Sequence, residues 1–529
     1  MTHNSSTAAA HLPFAGNLSQ GGLSCDSQHR RYAPCFRFLI SLVVKHGRPG
    51  NRPYRPHIQI LDDYSLLTIF SFSRPEILNE SQVDYQSLEG GEWNCERWWY
   101  RLVQVCRRWR YIVLESASRL RLSLLCARGA PVADMLAHSA SLPLVIDHFF
   151  NDDEIAAEDE KGITLALQNH DRVRRIRLRG RASILNKLVD SLDGEFPILE
   201  YLLIEPQESI WLFVRDNMNF LETFRAPHLR HLLLTKIDIP IGSPLLTTTA
   251  SLVTLSFEST PLSAYTDPNA LLQLVSLMPR LEILRIYFDT HSSNLIEEQL
   301  WRTPVMTRAW THVTLPSLRW LGFKGSSAYL DVILPHVTLP LLEKLQVYFF
   351  NQWTYCTPNL RQYMSTAENL QPNTIELAFH SQCVEVLGYP HKEARMYTLS
   401  MSLDVQLLRW QVGSSIQIFQ TLRGAFSAVE RLTLKYDGPT ISRRYIEPDR
   451  TQWRELLGSF VNVKTLFVDG RLVEQLSGAL QPGTGESPTE LLPELQELSC
   501  PAMDPLFDAF TPFIDARQKA GRHVTMINL

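Results

Sequence analysis

The sequence predicts an α+β protein, a small helical module followed by an irregular α/β solenoid. Three observations predict it. A six-residue pattern, apolar-x-x-apolar-x-apolar, occurs ten times after residue 165. Amphipathic helical stretches separate the copies. A compact aromatic block with helical periodicity precedes them.

The copies start at Val173, Leu199, Leu229, Leu252, Leu281, Leu318, Leu342, Val429, Val463 and Leu495. Most lie 23 to 37 residues apart, with one gap of 87. Segments such as 270–277 and 453–460 carry the helical pattern between them. A strand and a helix every few tens of residues describe a stack in which each unit's apolar face is covered by its neighbours. The long gap has room for two degenerate units, and Thr374-Ile375-Glu376-Leu377-Ala378-Phe379 is one candidate. The expected total is roughly twelve units over residues 151–529.

Residues 57–150 form the aromatic block. Asp62-Asp63 ahead of Leu66, Leu67 and Phe70 reads as a helix start, because a carboxylate caps free backbone N–H groups. Residues 73–96 are polar, contain Gly90-Gly91 and read as an insertion loop. Trp98, Leu102, Val105, Trp109 and Ile112 then recur at spacings of four and three, which predicts one helix over 97–114. The acidic segment from Asn151 to Glu160 reads as a surface loop. Residues 1–56 hold seven Lys or Arg against one acid, Asp26, and read as a disordered basic tail.

Composition excludes several classes. The 529 residues carry 51 Lys+Arg against 55 Asp+Glu, a formal net charge of -4, too little positive charge for a general polyanion binder. The Arg residues at 97–110 interleave with tryptophans but fall largely off the apolar stripe, so nucleic-acid binding is not expected. No apolar run reaches the length of a membrane span. The eight cysteines are scattered without a C-x-x-C pair, and no charged, apolar leader opens the chain; a cytoplasmic or nuclear protein is expected. No metalloprotease, nucleophile-elbow or phosphate-loop motif occurs, and the sixteen histidines are dispersed. Gly483-Thr484-Gly485-Glu486-Ser487 lacks the Lys of a phosphate loop and reads as a linker. Neither enzyme activity, a metal nor another cofactor is expected.

Leu61-Asp62-Asp63-Tyr64-Ser65-Leu66-Leu67-Thr68-Ile69-Phe70, followed by Leu102-Val103-Gln104-Val105-Cys106-Arg107-Arg108-Trp109-Arg110, resembles an F-box. The Val-Cys-Arg-Arg-Trp-Arg string is its most specific part. Asp62 stands where that family usually has Pro, and Ser65 where it usually has an aliphatic residue. The segments 120–126 and 142–147 are similar to the stretch after the box in large fungal F-box families. The resemblance implies a substrate receptor of an SCF-type cullin–RING ubiquitin ligase. The box would dock on the Skp adaptor, cullin would join through it, and the leucine-rich-type repeats would hold a protein substrate. Carried over by motif position, Leu61, Leu66, Leu67, Ile69, Phe70, Val105 and Trp109 would form the box core and adaptor contacts. The two departures raise an alternative, a non-catalytic repeat scaffold whose box no longer binds the adaptor.

The repeat pattern also indicates a substrate face. Strand side chains alternate, so the residue between the last two apolar positions and the one after them point away from the core. From those positions and their flanks, Arg177, Arg179, Arg285, Tyr287, Gln346, Tyr348 and Lys435 are the expected substrate contacts. Phe350 and Trp353 would form a rim. Aromatic and Arg side chains are the usual anchors of protein interfaces.

Overall fold

The computed structural model describes residues 61–74, 97–139, 141–149, 155–189, 191–207, 223–237, 239–260, 267–289, 310–350, 352, 354–355, 357–391, 394, 396–438, 448–481, 490–501 and 508–528. The basic tail, most of the insertion loop, the 483–487 glycine segment and Trp353 lie outside them. Two compact units are present, residues 1–201 and 202–529. No helix among the described residues is long and apolar enough to cross a membrane.

The first unit opens with α1, Asp63–Phe72. Its cap explains both departures from the box pattern at once. Asp62 Oδ1 accepts from Ser65 N–H at 2.7 Å, and Asp62 Oδ2 accepts from Ser65 Oγ–H at 3.1 Å. Those hydrogen bonds hold the Asp62 carboxyl below the usual carboxylate range. Leu66, Leu67 and Phe70 face inward from this helix.

The single helix expected over 97–114 is broken. It forms α2, Tyr100–Val103, and α3, Arg107–Glu115, with Cys106 in extended backbone ahead of the second piece. Arg110 Nε donates to Val103 O at 3.0 Å across the break. The break re-aims the stripe. Trp99, rather than Trp98, is buried, and its indole N–H donates to Ser123 O at 3.2 Å. Trp109, Ile112 and Val113 fill the core from α3, while Val105, within the break, is exposed.

After α4, Ala117–Leu120, strand and helix alternate: β1 Leu124–Ala127, α5 Val132–His138, β2 Leu144–Phe149, α6 Ala157–Leu167, β3 Val173–Gly180 and α7 Ala182–Val189. The three strands pair in parallel in sequence order. The block expected to be helical through residue 150 therefore contains two strands. Glu158, Asp159 and Glu160 lie in the first turn of α6 instead of a loop, where acidic groups suit the positive end of the helix dipole.

The second unit contains β4 Tyr201–Pro206, β5 His231–Thr235, α8 Pro244–Thr247, β6 Thr254–Thr260, α9 Pro268–Ser276 and β7 Ile283–Phe288. It continues with β8 Val313–Thr314, β9 Trp320–Gly325, α10 Ser327–Ile333, β10 Val337–Thr338, β11 Lys344–Phe349 and α11 Pro358–Thr366. Then come β12 Thr374–His380, β13 Cys383–Tyr389, β14 Leu399–Asp404, α12 Leu408–Thr421, β15 Arg431–Asp437 and α13 Arg450–Gly458. The last elements are β16 Thr465–Val468, α14 Val473–Leu480, β17 Glu497–Cys500, α15 Thr511–Lys519 and β18 Thr525–Asn528. The fold is mixed α/β with a large, mainly parallel sheet. All ten copies of the six-residue pattern end within strands.

The register explains the pattern. Leu232, Leu255, Leu284, Leu321, Leu345 and Leu399 occupy successive rungs and are buried, as are Leu432, Leu466 and Leu498 further along. One leucine per strand at one register position makes a continuous apolar row, which the helices cover. Polar side chains join neighbouring units. The Asp331 carboxylate, on α10, accepts from Asn359 N at 2.8 Å and Leu360 N at 3.3 Å, and so caps α11. Gln411, on α12, donates to the carbonyls of His380 and Val405 at 2.8 and 2.7 Å.

The 87-residue gap does not hold two degenerate units in phase. Strand order there is β11-β14-β13-β12-β15. Thr374–Phe379 does form a strand, β12, but it pairs with β15 in parallel and with β13 in antiparallel. Strand β13 in turn runs antiparallel to β14, which pairs in parallel with β11. The path from β14 to β15 must cross three ladder spacings, roughly 14 Å at ~4.8 Å each. Helix α12, with 14 residues the longest among the described helices, lies on that path and spans about 21 Å.

Near the C-terminus the fully buried Arg517 of α15 takes the place of an apolar plug. Its guanidinium donates to the carbonyls of Leu491, Leu492 and Pro493 at 3.1 Å each and to Leu495 O at 3.5 Å. Leu492 turns with positive φ, 49°, in this segment. The converging carbonyl dipoles take the place of a carboxylate. Arg517→Leu should orphan these buried acceptors and destabilise the second unit by roughly 3 kcal/mol or more, since each unsatisfied buried group costs about 1–3 kcal/mol. An unchanged denaturation midpoint would contradict this.

A pH prediction comes from His148 on β2. It lies on the same face as Leu144 and Ile146, and it is buried. Burial pushes its pKa down to about 4, against the upward pull of the Asp159 carboxylate. The unfolded chain takes up this proton at about pH 6.5. The folded value is the lower one, so the contribution is complete above about 6.5 and is lost as pH falls toward 4, up to roughly 3 kcal/mol. His148→Leu should flatten the acid limb of a stability–pH curve for the first unit; a curve parallel to wild type would refute the assignment.

Candidate functional site

The first candidate surface belongs to the helical module. Phe70 and Trp109 meet edge to face, with ring centroids 4.7 Å apart, and join α1 to α3. Arg108 adds a fork: Nε and Nη2 donate to Asp63 Oδ1 at 2.9 and 2.7 Å, and Nη2 also donates to Leu61 O at 2.6 Å. At these exposures the ion pair orients more than it stabilises. The expected box residues divide accordingly. Leu66, Leu67, Phe70 and Trp109 are core; Leu61 and Ile69 are half-buried; Val105 is exposed. Sequence reasoning missed four exposed apolar side chains of the same helices, Tyr64 and Phe72 on α1 and Tyr111 and Leu114 on α3. Helical phase was the available signal: each lies off the stripe that carries the buried residues.

The second candidate surface is the sheet face of the second unit opposite the leucine row. Register places Ser256, Arg285, Gly322, Gln346 and Ser400 on one row. Tyr287, Lys324, Tyr348 and Ser402 form the next. The first row is buried and the second half-exposed, so in the outward pairs on these strands the later residue is the accessible one; on β15 and β16 the first residues, Thr433 and Phe467, are half-exposed. Strands about 4.8 Å apart crowd their side chains, and the longer ones lie across their neighbours. Arg285, 4% exposed, lies over the Trp320 ring, 3.9 Å from its centroid, and its Nη1 stands 3.8 Å from Glu258 Oε1. Tyr287 lies over Gly322, where a Cβ would stand 2.6 Å from the phenol oxygen.

The two tyrosines form one unit. Their rings meet edge to face at 5.7 Å, Tyr287 O–H donates to Gln346 Oε1 at 3.4 Å, and Gln346 Nε2 donates to Tyr348 Oη. Burial pushes the Tyr287 hydroxyl well up, beyond what the Arg285 charge pulls back, so it stays a neutral donor. Lys344 sits between the rings of Trp320 and Tyr397, 4.0 and 4.2 Å from their centroids. Lys324 is an outward position by the same alternation rule; Trp320, Lys344 and Tyr397 were missed. Trp320 and Lys344 lie two residues before Gly322 and Gln346 on the same strand face, a signal that alternation carries; Tyr397 has none.

The structure therefore brings together Arg285, Tyr287, Gln346 and Tyr348. Lys435 lies on β15 and pairs with Glu376 at 2.8 Å. Beside it, His380 stands between Glu385 and Asp437 at 3.8 and 3.6 Å, and burial pushes the Glu385 carboxyl up. Arg177 and Arg179 belong to the first unit; Arg177 is buried, 3.8 Å from Asp147. Phe350, expected at a rim, is buried. Trp353 lies outside the described residues.

Among the described residues no group of three or more His, Cys, Asp or Glu side chains could hold a metal ion. An apolar cavity of about 40 Å³ lies between α9, β7, β9 and α10, lined by Leu271, Val275, Ile286, Phe323 and Leu330. Ligand pockets run to about 300 Å³ and more, so this one reflects imperfect packing.

Gly322→Ala should displace Tyr287, because the nearest colliding atoms are the phenol oxygen and ring edge of Tyr287, at the movable end of that side chain. The fold should persist with a loss of about 1–2 kcal/mol, and nitration of Tyr287, read by peptide mass spectrometry, should accelerate. Equal nitration in both proteins would show that the tyrosine does not depend on the missing Cβ.

No family model matches the chain, and no curated protein does. Among solved structures it is similar to the leucine-rich repeat-containing protein LegL7 from Legionella pneumophila, with 12% sequence identity and a TM-score of 0.26, over 69% of this chain and 95% of that one.

Proposed function

We propose that this chain is a non-catalytic adaptor-docked receptor: an F-box-like module that binds the Skp adaptor of a cullin–RING ubiquitin ligase, followed by leucine-rich-type repeats that hold a protein substrate. The carrying observation is the division of the helical module. Its motif residues Leu66, Leu67, Phe70 and Trp109 make the core, while Tyr64, Phe72, Val105, Tyr111 and Leu114 remain exposed. Five exposed large apolar side chains on so small a module supply apolar area that a protein partner could cover. The Asp62–Ser65 hydrogen bonds remove the reason to read the two departures as damage to the box. On the second unit, the Tyr287–Gln346–Tyr348 network with Lys324 and Lys344 supplies preorganised aromatic and cationic groups for a substrate segment.

The test uses exposed positions, because charges at the buried Leu66 or Leu67 would unfold the module. Wild type and Phe72→Asp/Val105→Asp are purified from cells and probed for the adaptor and cullin, with thermal melting as the control for folding. The expected outcome is adaptor on the wild type, a loss of at least tenfold in the variant, and equal melting. No adaptor on either protein would overturn the ubiquitin reading and leave a repeat scaffold.

A further inference from the structure

The geometry points to a divalent transition-metal site formed by His312 and His336, of the kind that Zn²⁺ occupies with two imidazoles and water. The two histidines lie 24 residues apart in sequence, beyond any local ligand spacing, and the fold brings them together. Strands β8 and β10 pair in parallel with Val313 opposite Val337. His312 and His336 are the residues immediately before those partners, so the ladder sets their imidazoles side by side. His336 Nδ1 stands 3.4 Å from His312 Nε2. Trp310 stacks on the His336 ring, with centroids 4.6 Å apart and planes 3° from parallel. The His312 ring meets it nearly edge-on at 4.8 Å and 68°. One imidazole is thus held by a flat wall and the other presents its nitrogen to it.

The spacing carries the argument. Zn–N bonds of about 2.0–2.1 Å at a tetrahedral angle place two ligand nitrogens roughly 3.3–3.4 Å apart. The observed distance is that bite. In the metal-free chain one ring N–H donates to the other nitrogen. Binding requires the donor ring to carry its proton on its other nitrogen, a change of tautomer that leaves both imidazoles neutral, and a rotation that turns both lone pairs toward a common point. Imidazole is a ligand for Zn²⁺, Cu²⁺ and Ni²⁺, with Cu²⁺ the tightest of the three at an unselective site. Two protein ligands leave the remaining positions to water. His312 is exposed and His336 is half-buried, so the ion has a path in and room for its waters. A bound ion also joins the start of β8 to the start of β10, which adds to that two-stranded ladder a stability that grows with the logarithm of metal concentration above the dissociation constant.

The experiment is a calorimetric titration of EDTA-stripped full-length protein with ZnCl₂, alongside His312→Gln, His336→Gln and Trp310→Phe, with thermal melting of each. The expected result has three parts. Wild type binds one equivalent of Zn²⁺, that binding weakens by at least tenfold on either histidine substitution, and the melting temperature rises with Zn²⁺ only where the pair is intact. Trp310→Phe keeps the equivalent, since the indole is a wall and not a ligand. His312→Gln changes an exposed side chain, so an altered fold cannot mimic the loss. Wild-type heats identical to those of both histidine variants would place any binding elsewhere and overturn the site, as would no uptake at all.

Discussion

Everything in the second unit depends on one backbone hydrogen bond repeated from strand to strand. Just ahead of most of the parallel strands, an N–H donates to the carbonyl of its counterpart one strand back. Glu282 N reaches Val253 O, Arg319 N reaches Glu282 O and Glu343 N reaches Arg319 O, each at 2.8 Å. The same relation recurs later, from Lys464 N to Glu430 O at 2.7 Å and from Gln496 N to Lys464 O at 2.8 Å. It fixes the register before the strand begins, and register decides which face each side chain takes. The leucine row, the buried Arg285–Gln346 row and the accessible Tyr287–Lys324–Tyr348 row are all set by it.

The same relation shows why some charges alternate at these positions. Arg319 pairs with Glu343, and Lys464 pairs with Glu430 at 2.6 Å. Such surface pairs add little stability each, but opposite charges on adjacent rungs favour the correct rung over a slipped one. The polar staples act deeper. Asp331 capping α11, and Gln411 reaching carbonyls near β12 and β14, tie a helix to a neighbouring unit through buried groups, where an unmet partner is costly.

The sheet strands of the ten copies were legible because alternation and a leucine at a fixed phase are local signals. Helix α1 was legible for the same reason, and Asp62 read correctly as its cap. What escaped depends on long-range geometry. The break at Gln104–Cys106 arises from how α3 packs, so helical periodicity assigned Val105 inward when it faces out. The first residue of most outward pairs is buried by its neighbours across the ladder, while Thr433 and Phe467 stay half-exposed, and no single strand's pattern records the difference. Tyr397 meets Lys344 through a segment with no repeat position, whereas His312 and His336 each lie six residues ahead of a copy, Leu318 and Leu342, in the same string His-Val-Thr-Leu-Pro.

The hairpin in the middle of the array has an arithmetic of its own. Strand β13 opposes both of its neighbours, so crossing it reverses direction twice. The two reversals cancel, and β15 continues with the polarity that β11 had. A single antiparallel junction in that place would have turned every later helix start toward the opposite end of the sheet. Insertions in such an array therefore obey a parity rule: strands that invert polarity are admitted only when the junctions they make number an even count. Deleting β13 alone should not shorten the array by one rung; it should leave β12 and β14 with matching polarity but no loop able to join them.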